Sequence, residues 1–186
     1  MCSDIVHNKK INKKTSKTMK LKLNLFKNVA ILGEMHIKNG DHKGKTPFPQ
    51  TVKSHPRINV VGPANQIFDT GKYPVKEIPD ENHVVYFKAS DLLPDSESIK
   101  WSAMQKQLRK TGFVHCSIES AGKIAMKLPT TKRKGKFFIH TRKTKTTFGP
   151  ANIVVHINGK IEVLGQVFKE ETNIPLDTII FAQIPN

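Results

Sequence analysis

The sequence has few of the residues that build disulfide scaffolds or membrane spans. Only two of its 186 residues are cysteines, Cys2 and Cys116, which cannot form a disulfide framework and which predict a reducing compartment. No run comes near the about 18 consecutive apolar residues that a transmembrane helix needs. The basic N-terminus is followed by no apolar segment, so we expect no secretory signal. These shortages favour a basic intracellular protein with a core of medium size.

Acidic residues are also scarce. Aspartate and glutamate number 15 against 31 lysines and arginines, which leaves a formal net charge of +16. The excess lies in two blocks: residues 1–20 carry six lysines and one acid, and residues 106–145 carry twelve bases and only Glu119. A charge of this size indicates a polyanionic partner, either a nucleic acid or an acidic membrane surface.

The first basic block predicts a disordered arm over residues 1–18, because its lysine, asparagine, threonine and serine residues offer little apolar surface to bury. Residues 19–186 are then expected to form a single β-rich domain. Within it, residues 39–82 are rich in proline and glycine and poor in apolar runs. They predict a long irregular connection with one short strand at Ile58–Val61.

Alternating apolar and polar residues, or short apolar runs, predict strands along much of the remaining chain. These segments are residues 20–26, 83–89, 113–120, 123–128, 152–157 and 160–168, a strand within residues 136–148, and a last strand at the C-terminus. Ala121-Gly122 indicates a bulge between two of them. Asn158-Gly159 is typical of the turn of a two-residue hairpin, here pairing residues 153–157 with 160–165.

One helix is predicted at about residues 95–111. Trp101, Met104 and Leu108 recur at helical spacing, Asp95 or Ser96 can cap the start, and Gly112 can end it. The expected fold class is therefore mainly β, an antiparallel sandwich or jelly-roll-like fold with this one inserted helix and a basic N-terminal arm.

Motifs for catalysis or metal binding are lacking. The eight histidines fit no zinc spacing and no glycine-rich phosphate loop is present, so we expect no metal, no cofactor and no small-molecule substrate. The run around His115, VHCS, has the apolar–His–apolar–Ser form of two-histidine phosphoesterases, which need a second such run. Neither His140 nor His156 is followed two residues later by serine or threonine. The sequence therefore favours a protein that is not an enzyme.

The second basic block places its charges among core-type residues, so a sheet would hold them in fixed positions. Such bases can follow a phosphate backbone with little dependence on sequence and with affinity that weakens in salt. An edge strand protected by lysines is the alternative interpretation. The candidate nucleic-acid contacts are Lys132, Arg133, Lys134, Lys136, Arg142, Lys143 and Lys145, with the arm residues Lys9, Lys10, Lys13, Lys14 and Lys17 as a second contact.

Residues 104–128, MQKQLRKTGFVHCSIESAGKIAMKL, resemble the core of the thirty-kilodalton superfamily of plant-virus movement proteins. The shared pattern is a helix ending in bases at residues 106–110, an aromatic–aliphatic–His–small–small strand at 113–117, and a second apolar stretch. The next strand of the family ends in an aspartate with an arginine nearby. Arg142 fits this pattern, whereas His140 or Thr141 stands in place of the aspartate.

This resemblance implies a jelly-roll-like fold and cooperative binding of single-stranded RNA at plasmodesmata. The expected function is a non-enzymatic, viral-type, cell-to-cell movement protein in the host cytoplasm or at the cell periphery. Two alternatives stay open. One is a viral matrix or coat protein that self-associates and binds RNA or an acidic membrane, and the other is an organelle-type ribosomal protein.

Overall fold

The computed structural model describes residues 29–38, 48–69, 81–128 and 135–185. The predicted arm, the strand predicted at residues 20–26 and the bases Lys132, Arg133 and Lys134 lie outside these residues. Strand residues outnumber helical residues in the described part, which confirms the mainly β fold. None of the helices in these ranges combines the length and apolarity needed to cross a membrane.

The described part of the chain contains ten strands and four α-helices. The strands are β1 (Gly33–Lys38), β2 (Ile58–Val61), β3 (Glu81–Lys88), β4 (Ile99–Lys100), β5 (Gly135–Ile139), β6 (Thr144–Thr146), β7 (Gly149–Ile157), β8 (Ile161–Gln166), β9 (Asn173–Ile174) and β10 (Ile179–Gln183). The helices are α1 (Phe48–Lys53), α2 (Pro63–Asp69), α3 (Trp101–Thr111) and α4 (Ile118–Lys127). A short 3-10 helix, Ala89–Asp91, follows β3.

Eight of these strands form one mixed sheet. Its order is β1-β3-β10-β5-β7-β8-β2, with β6 paired to β7 outside this path, and β4 and β9 form a separate two-stranded sheet. Among the described strands, all pairs are antiparallel except β10 with β5 and β2 with β8. Both β5 and β6 pair antiparallel with β7, so they are two halves of one long strand that is interrupted between them.

Both faces of the large sheet are buried. Phe137 and Ile139 of β5 belong to one hydrophobic core, whereas Phe138 between them belongs to a second core, as expected for side chains that alternate across a sheet. Helices α1, α2 and α4 contribute to the first core. Helix α3 and the two-stranded sheet contribute to the second. This double burial explains why β7 contains a nearly continuous apolar run instead of an alternating one.

Helix α3 confirms the predicted helix but begins at Trp101, six residues later than the predicted start. The preceding residues Ile99 and Lys100 pair with β9, so their backbone groups are committed to a sheet instead. Trp101, Met104 and Leu108 are all buried, as the helical spacing predicts. Gly112 ends the helix with φ 91°, and its N–H donates to carbonyls of the last turn.

The strands predicted at residues 113–120 and 123–128 are wrong: residues 113–116 make only isolated bridges, at Val114 and Cys116, and helix α4 follows from Ile118. The Ser117 hydroxyl caps this helix by accepting a hydrogen bond from the Ser120 N–H at 3.0 Å. Residues 121, 124, 125 and 128 carry the buried Ala, Ile, Ala and Leu side chains at helical spacing. Gly122 accordingly lies inside the helix and makes no bulge.

Within the predicted irregular connection, strand β2 has the predicted bounds, but helices α1 and α2 were not predicted. Helix α2 has only seven residues, and it buries Ala64, Ile67 and Phe68 against the first core. Two turns carry too few apolar positions for a periodic pattern to be recognised in the sequence.

The hairpin predicted at Asn158-Gly159 is confirmed, since β7 pairs antiparallel with β8 from Ile153↔Gly165 to Ile157↔Ile161. Its loop has three residues, 158–160, and not two, so the register is shifted by one residue from that of a two-residue hairpin. Gly159 has a positive φ, at 76°, whereas Asn158 does not.

Candidate nucleic-acid interface

The interruption between β5 and β6 is a bulge of several residues. Phe138 is the last residue of β5 opposite β7, and Thr144 is the first residue of β6 opposite it, so residues 139–143 stand opposite only residues 152 and 153. Asn152 Nδ2 donates to the Thr141 carbonyl oxygen at 2.9 Å and holds the bulge to β7. Bulges of this kind turn side chains out of the regular alternation. Here, the bulge carries His140, Arg142 and Lys143.

The connector between α3 and α4 runs beside this bulge. Val114 and Gln183 of β10 exchange backbone hydrogen bonds of 3.0 and 3.2 Å. Two residues later, the Cys116 N–H donates to the carbonyl oxygen of His140 at 2.7 Å. The connector is thus fixed between the end of β10 and the bulge, and His115 lies between its two anchored residues.

His115 and His140 stack on each other, with ring centroids 4.2 Å apart and an interplanar angle of 29°. His140 is fully buried, and neither of its ring nitrogens has a hydrogen-bond partner. Burial, followed by the charges of His115 and Arg109, lowers the pKa of His140 to about 3. His140 is therefore a neutral side chain at ordinary pH, and it supports the half-buried His115 ring from behind.

A cleft of about 450 Å³ opens beside this pair, between the last turn of α3 and the bulge. Its lining residues are Arg109, Gly112, Phe113, Val114, His115 and Arg142. The pKa of His115 is lowered by burial first, then by the positive charges of Arg142 and Arg109. Both arginines thus act on the same imidazole, although they come from different elements. The cleft therefore joins two guanidinium groups and one imidazole.

No acid of the described residues neutralises these guanidinium groups. Neither Arg109 nor Arg142 takes part in any ion pair found in those ranges. Glu119, the single acid of the second basic block, pairs instead with Lys123 at 3.0 Å. The cleft keeps its positive charge available to an external anion.

Further exposed bases lie on the same elements as the two arginines of the cleft. Lys106 lies three residues before Arg109 and four residues before Lys110 on the exposed part of α3. Lys143 of the bulge and Lys145 of β6 are also exposed. We call the whole set the basic cleft surface: Lys106, Arg109, Lys110, Arg142, Lys143 and Lys145.

An exposed aromatic ring lies farther along the β6–β7 hairpin. Phe148 is 66% exposed and is the one aromatic residue among the large exposed hydrophobic residues of the described ranges. The adjacent Thr147 is held by Gln66 of α2 through hydrogen bonds of 2.7 and 2.8 Å. The hairpin tip thus presents an aromatic ring on an anchored turn, next to the exposed Lys145.

The structure places only part of the predicted contact set at the cleft. Arg142, Lys143 and Lys145 belong to the basic cleft surface, but Lys136 lies at the opposite end of β5 from Arg142. Lys136 is paired with His156 of β7, whereas Arg142 belongs to the bulge, which stands opposite residues 152 and 153. Phe137 and Phe138 of β5 are both buried in the cores, so neither ring is exposed for stacking on a base. Lys132, Arg133, Lys134 and the arm lysines lie outside the described residues.

Sequence reasoning missed the α3 side of the surface and the histidine pair. The sequence indicated Arg109 and Lys110 only as part of the second basic block and of the basic helix end at residues 106–110. Their membership in the same basic block as Arg142 was the available signal. His115 and His140 belong to segments whose contact depends on the bulge, which no local pattern indicates.

The stacked histidines bring two imidazoles together, as a two-histidine phosphoesterase requires, but only one of them is accessible. General acid–base catalysis needs both imidazoles to reach the substrate, and His140 has no exposed surface. Burial also raises the pKa of the Cys116 thiol to about 12, so it supplies no thiolate nucleophile. In the described ranges, no cluster of His, Cys, Asp and Glu residues could hold a metal ion.

No family model, curated protein or solved structure matches the chain.

Proposed function

We propose that the protein is a non-enzymatic binder of single-stranded nucleic acid and that the basic cleft surface is its main contact. The observation that carries this proposal is the convergence of Arg109 and Arg142 on one cleft, with four exposed lysines around it and no opposing acid among the described residues. Bases in this arrangement attract phosphates and release counterions. Phosphate contacts position a strand without reading its sequence, so we expect little sequence preference.

A single strand fits this surface better than a duplex. Phe148 lies at the turn of the β6–β7 hairpin, six residues along the chain from Arg142. An exposed ring on the path of the backbone can stack on an unpaired base, which is a recurring feature of single-strand binding proteins. The bases of a duplex are already stacked and cannot reach such a ring.

The biological setting that we propose is the movement of viral RNA between cells. It rests on the resemblance of residues 104–128 to plant-virus movement proteins, whose basic helix end corresponds to residues 106–110 here. Three bases of the basic cleft surface lie in that segment: Lys106, Arg109 and Lys110. A fluorescent fusion expressed in a leaf tests this setting. Puncta spanning the cell wall support it, whereas signal in organelles or along the whole plasma membrane contradicts it.

The binding itself is tested by fluorescence anisotropy with single-stranded RNA at several salt concentrations. Arg109→Gln/Arg142→Gln removes two positive charges from the cleft. The matched control, Lys88→Gln/Lys160→Gln, removes two exposed positive charges elsewhere. For single strands each neutralised phosphate contributes about 0.7 to the slope of log affinity against log salt, so the cleft variant should flatten this slope by about 1.4. The control variant should keep the slope of the parent.

Equal slopes for the parent and both variants would contradict the proposed contact surface. Absence of RNA binding, combined with binding to vesicles of anionic lipid, would favour the acidic membrane surface as partner. The contributions predicted for Lys132, Arg133, Lys134 and the arm lysines stay predictions, and the same titration on a variant lacking residues 1–18 tests the arm.

A further inference from the structure

We propose that the cleft is a subsite for one backbone phosphate, in which His115 donates a hydrogen bond to the phosphate and takes up a proton as it binds. This inference rests on the proposed binding of nucleic acid and goes further, because it assigns one phosphate to three named side chains and makes binding depend on pH. The structure favours this cleft for three reasons: the convergence of donors, the rigid support of His115, and the balance of charge around it.

The three donors come from three different parts of the chain. Arg109 extends from the last turn of α3, His115 from the connector and Arg142 from the bulge, and all three line the same cleft. Guanidinium groups present paired N–H donors that match the oxygens of a phosphate. With Arg109 and Arg142 at the same cleft, a phosphate there can be contacted by both groups and by the imidazole.

His115 is held in place by contacts that do not involve any ligand. Its neighbours Val114 and Cys116 are fixed by backbone hydrogen bonds to Gln183 and His140. Its ring stacks on His140, which is fully buried. The imidazole therefore loses little conformational freedom when a phosphate binds, in contrast to an exposed lysine side chain, whose rotamer entropy must be lost.

The charges that face His115 oppose its protonation in the free protein. Arg109 faces it from α3 and Arg142 from the bulge, and together with burial they lower its pKa. His140 faces it from the end of β5 and stays neutral, because its own pKa is about 3. A phosphate in the cleft reverses this balance, since its negative charge offsets both guanidinium charges and favours the imidazolium form.

The sign of the pH dependence follows from this difference. The pKa of His115 is higher in the complex than in the free protein, so binding takes up a proton. Affinity therefore rises as the pH falls through the range between the two pKa values. A backbone phosphodiester does not titrate near neutral pH, so any change in affinity there comes from the protein. One pKa unit of difference corresponds to about a tenfold change in affinity.

The test is the affinity for a fluorescein-labelled single-stranded RNA at constant ionic strength, measured by anisotropy between pH 5.5 and 8.5. We expect the parent to bind up to about tenfold more tightly at the acidic end. His115→Gln keeps an N–H donor but cannot become charged, so its affinity should change little with pH. His156→Gln is the matched control: His156 lies on β7, where it pairs with Glu162 at 3.4 Å, and this variant should keep the pH dependence of the parent.

A second measurement follows the protonation of His115 directly. The imidazole resonances of the parent protein are assigned by triple-resonance NMR and are then titrated with and without RNA. We expect the titration midpoint of His115 to rise when RNA is bound. Arg142→Gln should raise the midpoint in the free protein, because one of the repelling charges is gone, and it should weaken RNA binding. This NMR measurement still tests the proposal if His115→Gln fails to fold.

The outcomes separate this inference from the proposed function. If RNA binds with an affinity that depends on salt, but His115→Gln keeps the pH dependence of the parent, the phosphate subsite is wrong and the proposed function stands. If the NMR titration midpoint of His115 does not change when RNA binds, the phosphate subsite is likewise wrong and the proposed function stands. If the protein binds no RNA at any pH, the proposed function fails first.

Discussion

Asn152 of β7 donates a hydrogen bond from Nδ2 to the carbonyl oxygen of Thr141 at 2.9 Å, and both residues are buried. The contact spans the bulge at the residue before Arg142, so a side chain in the middle of one strand fixes the position of a cation on another. The site thus depends on an interior residue that no ligand would touch.

Asn152→Ala removes the donor and leaves the Thr141 carbonyl without this partner. A buried polar group that loses its partner costs about 1–3 kcal/mol, so the free energy of unfolding in urea should fall by that amount. RNA affinity should also fall, because Arg142 is no longer held at the cleft. Ala151→Gly, a change at the neighbouring buried position that removes no hydrogen-bonding group, serves as the control. An Asn152→Ala variant with parental stability and affinity would show that the bulge is maintained by other contacts.

Phe148→Ala should weaken RNA binding without altering stability. The ring is largely exposed, so its removal costs little packing, whereas stacking on a base contributes about 1–3 kcal/mol to binding. Because no charge is removed, the salt dependence of the affinity should stay that of the parent. Leu176→Ala, at another exposed apolar side chain, is the control. A drop in melting temperature together with the affinity would instead indicate a structural role for the ring.

His140 should make the protein less stable in mild acid. Its pKa in the folded state is about 3, well below the value of an unfolded chain near 6.5, so the unfolded state binds the proton first. Stability is therefore present above about pH 6.5 and is lost as the pH falls toward 3, by up to about 1.4 kcal/mol for each pH unit.

The check is urea unfolding of the parent and of His140→Phe at several pH values between 4 and 7.5. Carboxylates titrate in both proteins, so the difference between the two curves isolates His140. We expect the parent to lose more stability than the variant as the pH falls. Parallel curves would mean that His140 is protonated equally in the folded and unfolded states.

Gly159→Val should destabilise the β7–β8 hairpin through its backbone conformation alone. Gly159 has φ 76°, and an added Cβ would meet no atom within 4 Å, so steric crowding by neighbours is absent. A β-branched residue is strained at such a φ, by roughly 1–2 kcal/mol. Gly159→Asn is the matched control, because asparagine tolerates this conformation better. Equal unfolding free energies for the two variants would contradict this explanation.

Features that depend only on residues close together in the sequence could be predicted from it. The buried stripe of Trp101, Met104 and Leu108, the hairpin at Gly159 and the strand β2 all follow from local patterns. The concentration of positive charge in residues 106–145 was equally visible, and it includes all six residues of the basic cleft surface. Periodicity, turn chemistry and local charge each involve only a few consecutive residues, so they can be recognised in the sequence.

Helix α4 shows where local information is insufficient. The segment from Ile118 to Leu128 satisfies both the alternation of a strand and the spacing of an amphipathic helix. The choice between them is made by burial of Ile124 and its neighbours against the sheet, together with the cap at Ser117. Tertiary packing routinely overrides the preference of a short segment for strand or helix.

The cleft itself exists only in the folded chain. Arg109 and Arg142 line the same cleft because the connector is bonded between β10 and the bulge, and His115 reaches His140 for the same reason. The bulge in turn needs Asn152, a residue on a different strand. Contacts between residues so distant in sequence are selected by the free energy of the whole packed structure, which no short segment encodes. The sequence therefore shows how much positive charge the protein carries, and the packing of the sheet places two of those charges around one imidazole.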